Sequence, residues 1–149
     1  MQKTIFRYLT IFVIGAFAYG LIEITVRGFT HISMGLLGGI CMLTISFLNS
    51  RRRNGLPLLA ILIFMMFFIT AAELVTGIII NLNMNLNIWD YSDVPLNYKG
   101  QICLPFMGIW FFLSFIGLAL DEFLNWKFFK IRRPLFFRNR ENYENDILN

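Results

Sequence analysis

Residues 56–80 read LPLLAILIFMMFFITAAELVTGIII, 25 positions interrupted by a single charge, Glu73. A helix needs roughly 20 apolar residues to cross about 30 Å of hydrocarbon, so this stretch points to lipid as the solvent. Three further runs qualify: Ile5–Val26, Ile32–Leu48 and Ile102–Leu120. The composition of the 149 residues agrees, with 57% hydrophobic and 15% charged against about 45–50% and 25% in soluble globular chains. The expected fold is an all-α membrane protein with four transmembrane helices over residues 1–126. A long structured outer loop, 81–101, joins helices three and four. A basic, interfacial and then polar cytoplasmic tail follows over 127–149.

Eleven of the 13 Lys and Arg residues fall on one side of these spans: Lys3, Arg7, Arg51, Arg52, Arg53 and the six from Lys127 to Arg140. Only Arg27 and Lys99 fall on the other. Positive charge accumulates on the cytoplasmic side, which predicts a multi-pass protein of the cell membrane with both termini cytoplasmic. The net charge of +4 does not argue for nucleic acid, because the basic residues sit at run ends instead of lining one face. Lys3, Arg7 and Ala16-Phe17-Ala18 resemble a signal peptide, but the apolar stretch continues well past that point, so an uncleaved helix is expected. Asn125-Trp126-Lys127-Phe128-Phe129-Lys130 mixes rings and cations as an interfacial anchor does. The two cysteines, Cys41 and Cys103, form neither a disulfide framework nor a CxxC metal motif.

Ionisable groups inside a span are costly and face the bundle interior, a partner or a path. Glu23, Arg27 and His31 recur at i, i+4 and i+8, so they share one stripe where the first helix runs that far; Gly28 can end it earlier and leave His31 in the turn. Glu73, Thr76, Gly77 and Asn81 form a second stripe near the same end of the third helix. The loop adds alternating Asn and apolar residues over 81–87, read as a half-buried extended or re-entrant piece. Trp89-Asp90-Tyr91-Ser92, Asp93, Pro95, Asn97, Gly100 and Gln101 follow. Rings beside carboxylates suit a polar or cationic ligand; an aromatic belt and an inert ion pair are the structural alternatives. The block 89–92 is expected to fold back over the polar cluster, with Asp90 accepting from Arg27 or His31.

Gly35, Gly38 and Gly39 line the second helix with small residues, which permits close packing within the bundle or with a second copy or another membrane subunit. No GxxxxGK[ST], HExxH or GxSxG is present, and there is one His. The sequence therefore offers no nucleophile, metal set or cofactor motif, and a non-enzymatic role is favoured.

Ile22-Glu23, Arg27-Gly28-Phe29-Thr30-His31, Ser33-Met34 and Gly38-Gly39-Ile40-Cys41 resemble the first half of the ABC-transporter permease family called type IV or CmpB-like. Glu73-Leu74-Val75-Thr76-Gly77, Trp89-Asp90-Tyr91-Ser92, Pro95, Asn97 and Gly100-Gln101-Ile102-Cys103-Leu104-Pro105-Phe106 resemble its second half, in the small bacterial or phage form. The resemblance covers about residues 20–125. It implies that Glu23, Arg27, His31, Glu73 and the 89–97 loop are the family's motif, without assigning their role.

Two functional readings and a structural one follow. One is a permease or solute-binding module with an outward-facing polar pocket for a small polar or cationic molecule. The other is a membrane-embedded enzyme using a Glu general base on a lipid-like substrate. A structural or accessory subunit is the third reading.

Overall fold

The structure is a computed structural model that describes residues 2–52 and 54–130. Four helices form the body: α1 (Gln2–Arg27), α2 (Ile32–Arg52), α3 (Leu58–Gly77) and α4 (Leu104–Lys127). A π-helical segment, Ile78–Asn83, continues α3, and together they make one apolar span, Leu58–Asn83. All four helices are long and apolar enough to cross a membrane. Phe17 and Phe112, each 70% exposed on the outside of the bundle, are hidden from water only when lipid surrounds them.

Helix ends follow local chemistry. Gly28 takes φ +82° and its N–H donates to Ile24 O at 2.8 Å, a glycine stop in left-handed conformation. His31 therefore lies in the connection before α2. Pro57 is the N-cap of α3, and Pro105 occupies the first turn of α4, where its missing N–H breaks no helical bond. The helices outlast the apolar runs: α2 reaches Arg52 and α4 reaches Lys127, because backbone hydrogen bonding continues into the interface after hydropathy falls.

α2 packs against the other three helices and α3 packs against α4. Ile11, Met34, Ile61, Met65 and Leu118 are fully buried in this core. Gly38 is covered by Tyr19 and the Gly15 carbonyl of α1, and Gly39 by the Phe12 ring; the intrachain contact thus accounts for both. Gly35 would bring a Cβ no closer than 3.8 Å to Ala16 O.

Residues 84–103 close the end opposite the start of α1 and the end of α4. Two short strands, β1 (Asn97–Tyr98) and β2 (Ile102–Cys103), pair antiparallel with Asn97 facing Cys103. The expected extended piece at 81–87 is corrected in its first half: Asn81–Asn83 continue the helix in π form, because the Asn81 side chain is bound by the loop and not by its own helix. Cys41 and Cys103 are buried free thiols. Of the anticipated tail, α4 takes residue 127, 128–130 are described, and 131–149 lie outside the described residues.

Candidate functional site

At the loop end, one hydrogen-bonded network links α1, the α1–α2 connection, α3, the loop and α4. Glu23 Oε1 accepts from Arg27 Nη1 at 3.2 Å and Glu23 Oε2 from Thr30 Oγ1 at 2.7 Å. Arg27 Nη2 donates to the Tyr91 hydroxyl at 2.7 Å. That hydroxyl donates to Glu73 Oε1 at 2.9 Å, while Trp110 Nε1 donates to Glu73 Oε2 at 3.0 Å. Glu73 is 1% exposed. Burial, with the Glu73 carboxylate alongside, raises the pKa of the Tyr91 phenol well above its ordinary value, so it stays a donor to Glu73. Glu73 and the Glu23–Arg27 pair thus meet through a shared phenol.

A second network fixes the loop that delivers Tyr91. Asn81 Nδ2 donates to Trp89 O and to Gln101 Oε1, each at 2.9 Å, and Asn81 Oδ1 accepts from Ile88 N at 2.7 Å. Trp89 Nε1 donates to Gln101 O at 3.0 Å. Buried polar groups fully paired in this way lock one conformation. Gly100, at φ +67°, leaves the space that Asp90 and Ser92 side chains fill.

The expectation for Asp90 is corrected. Its carboxylate is exposed and accepts from Ser92 N and Ser92 Oγ, bonds that hold its pKa below the usual carboxylate range. Neighbouring side chains in this turn point opposite ways, so Tyr91 enters the network that Asp90 was expected to reach. Asn97 likewise serves the loop, donating to Ser92 O and Val94 O and accepting from Gly100 N. His31 pairs with Ser33 Oγ at 2.7 Å. Among the candidates, Glu23, Arg27, Glu73 and Tyr91 come together, Asn81, Trp89 and Gln101 support them, and His31, Asp90 and Asn97 act locally. Trp110 was not anticipated, since a Trp within an apolar run carries no mark distinguishing it from a lipid-facing one.

The Tyr91 geometry has a direct consequence. Tyr91→Phe should cost about 1–2 kcal/mol, because it strips one donor from buried Glu73. Asp90→Asn, on exposed surface, should leave stability nearly unchanged. Denaturant titration in micelles compares them; an Asp90 effect as large as the Tyr91 effect would contradict the assignment.

Beside Glu73 lies a half-open groove of about 110 Å³. Gly15, Ala18, Tyr19 and Ile22 of α1 form one wall, and Trp110, Leu113, Ser114 and Gly117 of α4 another. Leu37, Gly38, Cys41 and Met42 of α2 and Ile69 and Glu73 of α3 also line it. α1 and α4 make little direct contact, so the groove runs between them. Tyr19 and Trp110 rings lie 6.2 Å apart across it. Among the described residues no three His, Cys, Asp or Glu side chains group closely enough for a metal ion.

The family model described as "Putative ABC-transporter type IV" matches residues 10–134. The chain belongs to that family. The match takes in both networks, α1 from residue 10 onward and the other three helices of this type IV member, which is a multi-pass membrane protein of a transport-related family. Neither a curated protein nor a solved structure matches it.

Proposed function

We propose that this protein is a transport-linked membrane module that binds organic cations with an apolar body in the groove between α1 and α4. What carries the reading is Glu73, an acidic residue among the lining of a largely apolar groove. Its network holds two carboxylates, Glu23 and Glu73, but one guanidinium, Arg27. With all three ionised, the network carries one excess negative charge in low dielectric, which a cation offsets. Tyr91 and Trp110 each engage one Glu73 oxygen, and a carboxylate offers about four lone-pair sites, so acceptor capacity remains. The Tyr19 and Trp110 rings suit a cation's face.

Size separates binding from conduction. A cavity of about 110 Å³ is well below the ~300–1,000 Å³ of drug-sized pockets. The groove takes part of a ligand while the rest lies in lipid, and a path through the membrane would need further subunits. By the positive-inside rule the basic end is cytoplasmic, and Glu73 then lies in the outer half of the membrane. The general-base reading gains less from this geometry, because the hydroxyl that Glu73 holds among the described residues is that of Tyr91, which Arg27 also engages.

Tetraphenylphosphonium, a cation without hydrogen-bonding groups, is the probe. In nanodiscs the wild-type chain should bind it at least about ten-fold more tightly than Glu73→Gln, a difference of roughly 1.4 kcal/mol. Neutral triphenylphosphine oxide should not discriminate between the two. Equal tetraphenylphosphonium affinity in wild type and Glu73→Gln would remove the proposal.

A further inference from the structure

The end of the bundle where α1 begins and α4 ends buries a second polar group, separate from the Glu73 network. Asn49 on α2 is 4% exposed and Asp121 on α4 is 1% exposed. Asn49 Nδ2 donates to Asp121 Oδ2 at 2.8 Å. Two cations of this end, Arg7 and Arg52, engage other acceptors. Arg7 of α1 donates to Asn125 Oδ1 at 2.7 Å and to Ser46 Oγ at 3.3 Å, and Arg52 pairs with Glu122 at 3.1 Å. Asn125 Nδ2 donates to the Asp121 backbone carbonyl, not to its carboxylate. Among the described residues, no Lys, Arg or His forms an ion pair with Asp121.

One oxygen on each partner is left over. Asn49 Oδ1 and Asp121 Oδ1 are both buried without a hydrogen-bond partner. Such orphans are rare in folded proteins, and each calls for a specific explanation. An amide oxygen and an ionised carboxylate are acceptors only, so what satisfies them carries positive charge or donates. A buried carboxylate with a single amide donor is a costly arrangement in a membrane helix.

We propose that Asn49 Oδ1 and Asp121 Oδ1 hold an alkali-metal cation, Na⁺ or K⁺, between α2 and α4. Both donors are hard oxygens, with neither thiolate nor imidazole, which disfavours transition metals. One carboxylate offsets one positive charge and leaves the second charge of Ca²⁺ uncompensated, which favours a monovalent ion. Bound there, the cation joins α2 to α4 beside their Asn49–Asp121 hydrogen bond and tightens this end of the bundle. The site stands independently of Glu73 and of what the groove binds.

The test uses the full chain in nanodiscs, melted in NaCl, in KCl and in N-methylglucamine chloride at equal ionic strength. At several times its dissociation constant, the preferred alkali cation should raise the melting temperature by roughly 2–4 °C over N-methylglucamine. The NaCl and KCl arms identify which ion is held. Asn49→Ala and Asp121→Asn should lose the rise, Asn49→Asp, which keeps an oxygen in place, should retain it, and Glu73→Gln should leave it unchanged. No difference among the three salts for the wild-type chain overturns the site, as does an undiminished rise in Asp121→Asn. Loss of the rise in Glu73→Gln would also count against it, by tying the cation to the other end.

Discussion

Replacing Arg27 by Met should destabilise the protein by about 3 kcal/mol, the lower end of the cost of breaking a buried ion pair from one side. The lower end applies because the Arg27 side chain is 20% exposed while Glu23 is 5% exposed. Two acceptors lose a donor together: Glu23 Oε1 keeps no guanidinium, and the Tyr91 hydroxyl loses its 2.7 Å bond. Glu23 retains Thr30, which leaves a charged carboxylate with one neutral donor. Removing that charge as well should recover much of the loss, since most of it is the desolvated carboxylate left behind and not the pair's own strength. Glu23→Gln/Arg27→Met should therefore melt above Arg27→Met alone, and the double-mutant cycle gives the coupling between the two. A single Arg27→Met variant as stable as wild type, or a double variant less stable than it, would show that the network is not load-sharing.

The network also explains which features the sequence displays. Charges stand out inside apolar runs, so Glu23, Arg27 and Glu73 were legible, and the four helices followed from run length alone. Their common end followed from counting spans. What joins them was not legible. Tyr91 and Asp90 are neighbours in one turn, and a one-residue change of facing decides which enters the bundle; of the contacts around Asp90, the bond to Ser92 is local and the space left by Gly100 comes from ten residues further on. Trp110 gains its role from a Glu 37 positions earlier, a distance no local pattern encodes.

The second polar cluster was missed for a different reason. Asp121 and Glu122 follow Leu120, where hydropathy falls, and so read as the polar edge of a span. Arg7 and Arg52 read as topological anchors for the same reason. The helices continue past those positions, and the continuation turns apparent edge residues into buried ones. Hydropathy marks where a segment becomes expensive to place in lipid, but helix geometry and neighbours decide whether its polar groups meet water.

The α1–α2 contact supplies the other large expected effect. α1 relies chiefly on α2 for its packing, and the two approach through Gly15 and Gly38. A Cβ at Gly38 would run into Tyr19 Cβ and lie 3.1 Å from Gly15 O, both fixed by the α1 backbone, so relief requires the helices to separate. At Gly39 the obstacle is the Phe12 ring, the far end of a side chain that can rotate. At Gly35 the nearest atom is 3.8 Å away, in ordinary contact. Overpacking costs about 1–3 kcal/mol and occasionally more. Gly38→Leu should reach about 3 kcal/mol, Gly39→Ala should cost less, and Gly35→Ala should stay within about 0.5 kcal/mol. Because Gly38 also lines the groove, Gly38→Leu should weaken tetraphenylphosphonium binding as well, without touching any charged group. Unfolding in mixed micelles, read by Trp fluorescence, orders the three variants. A Gly35→Ala loss equal to that of Gly38→Leu would mean that the glycine stripe meets something other than α1 of its own chain.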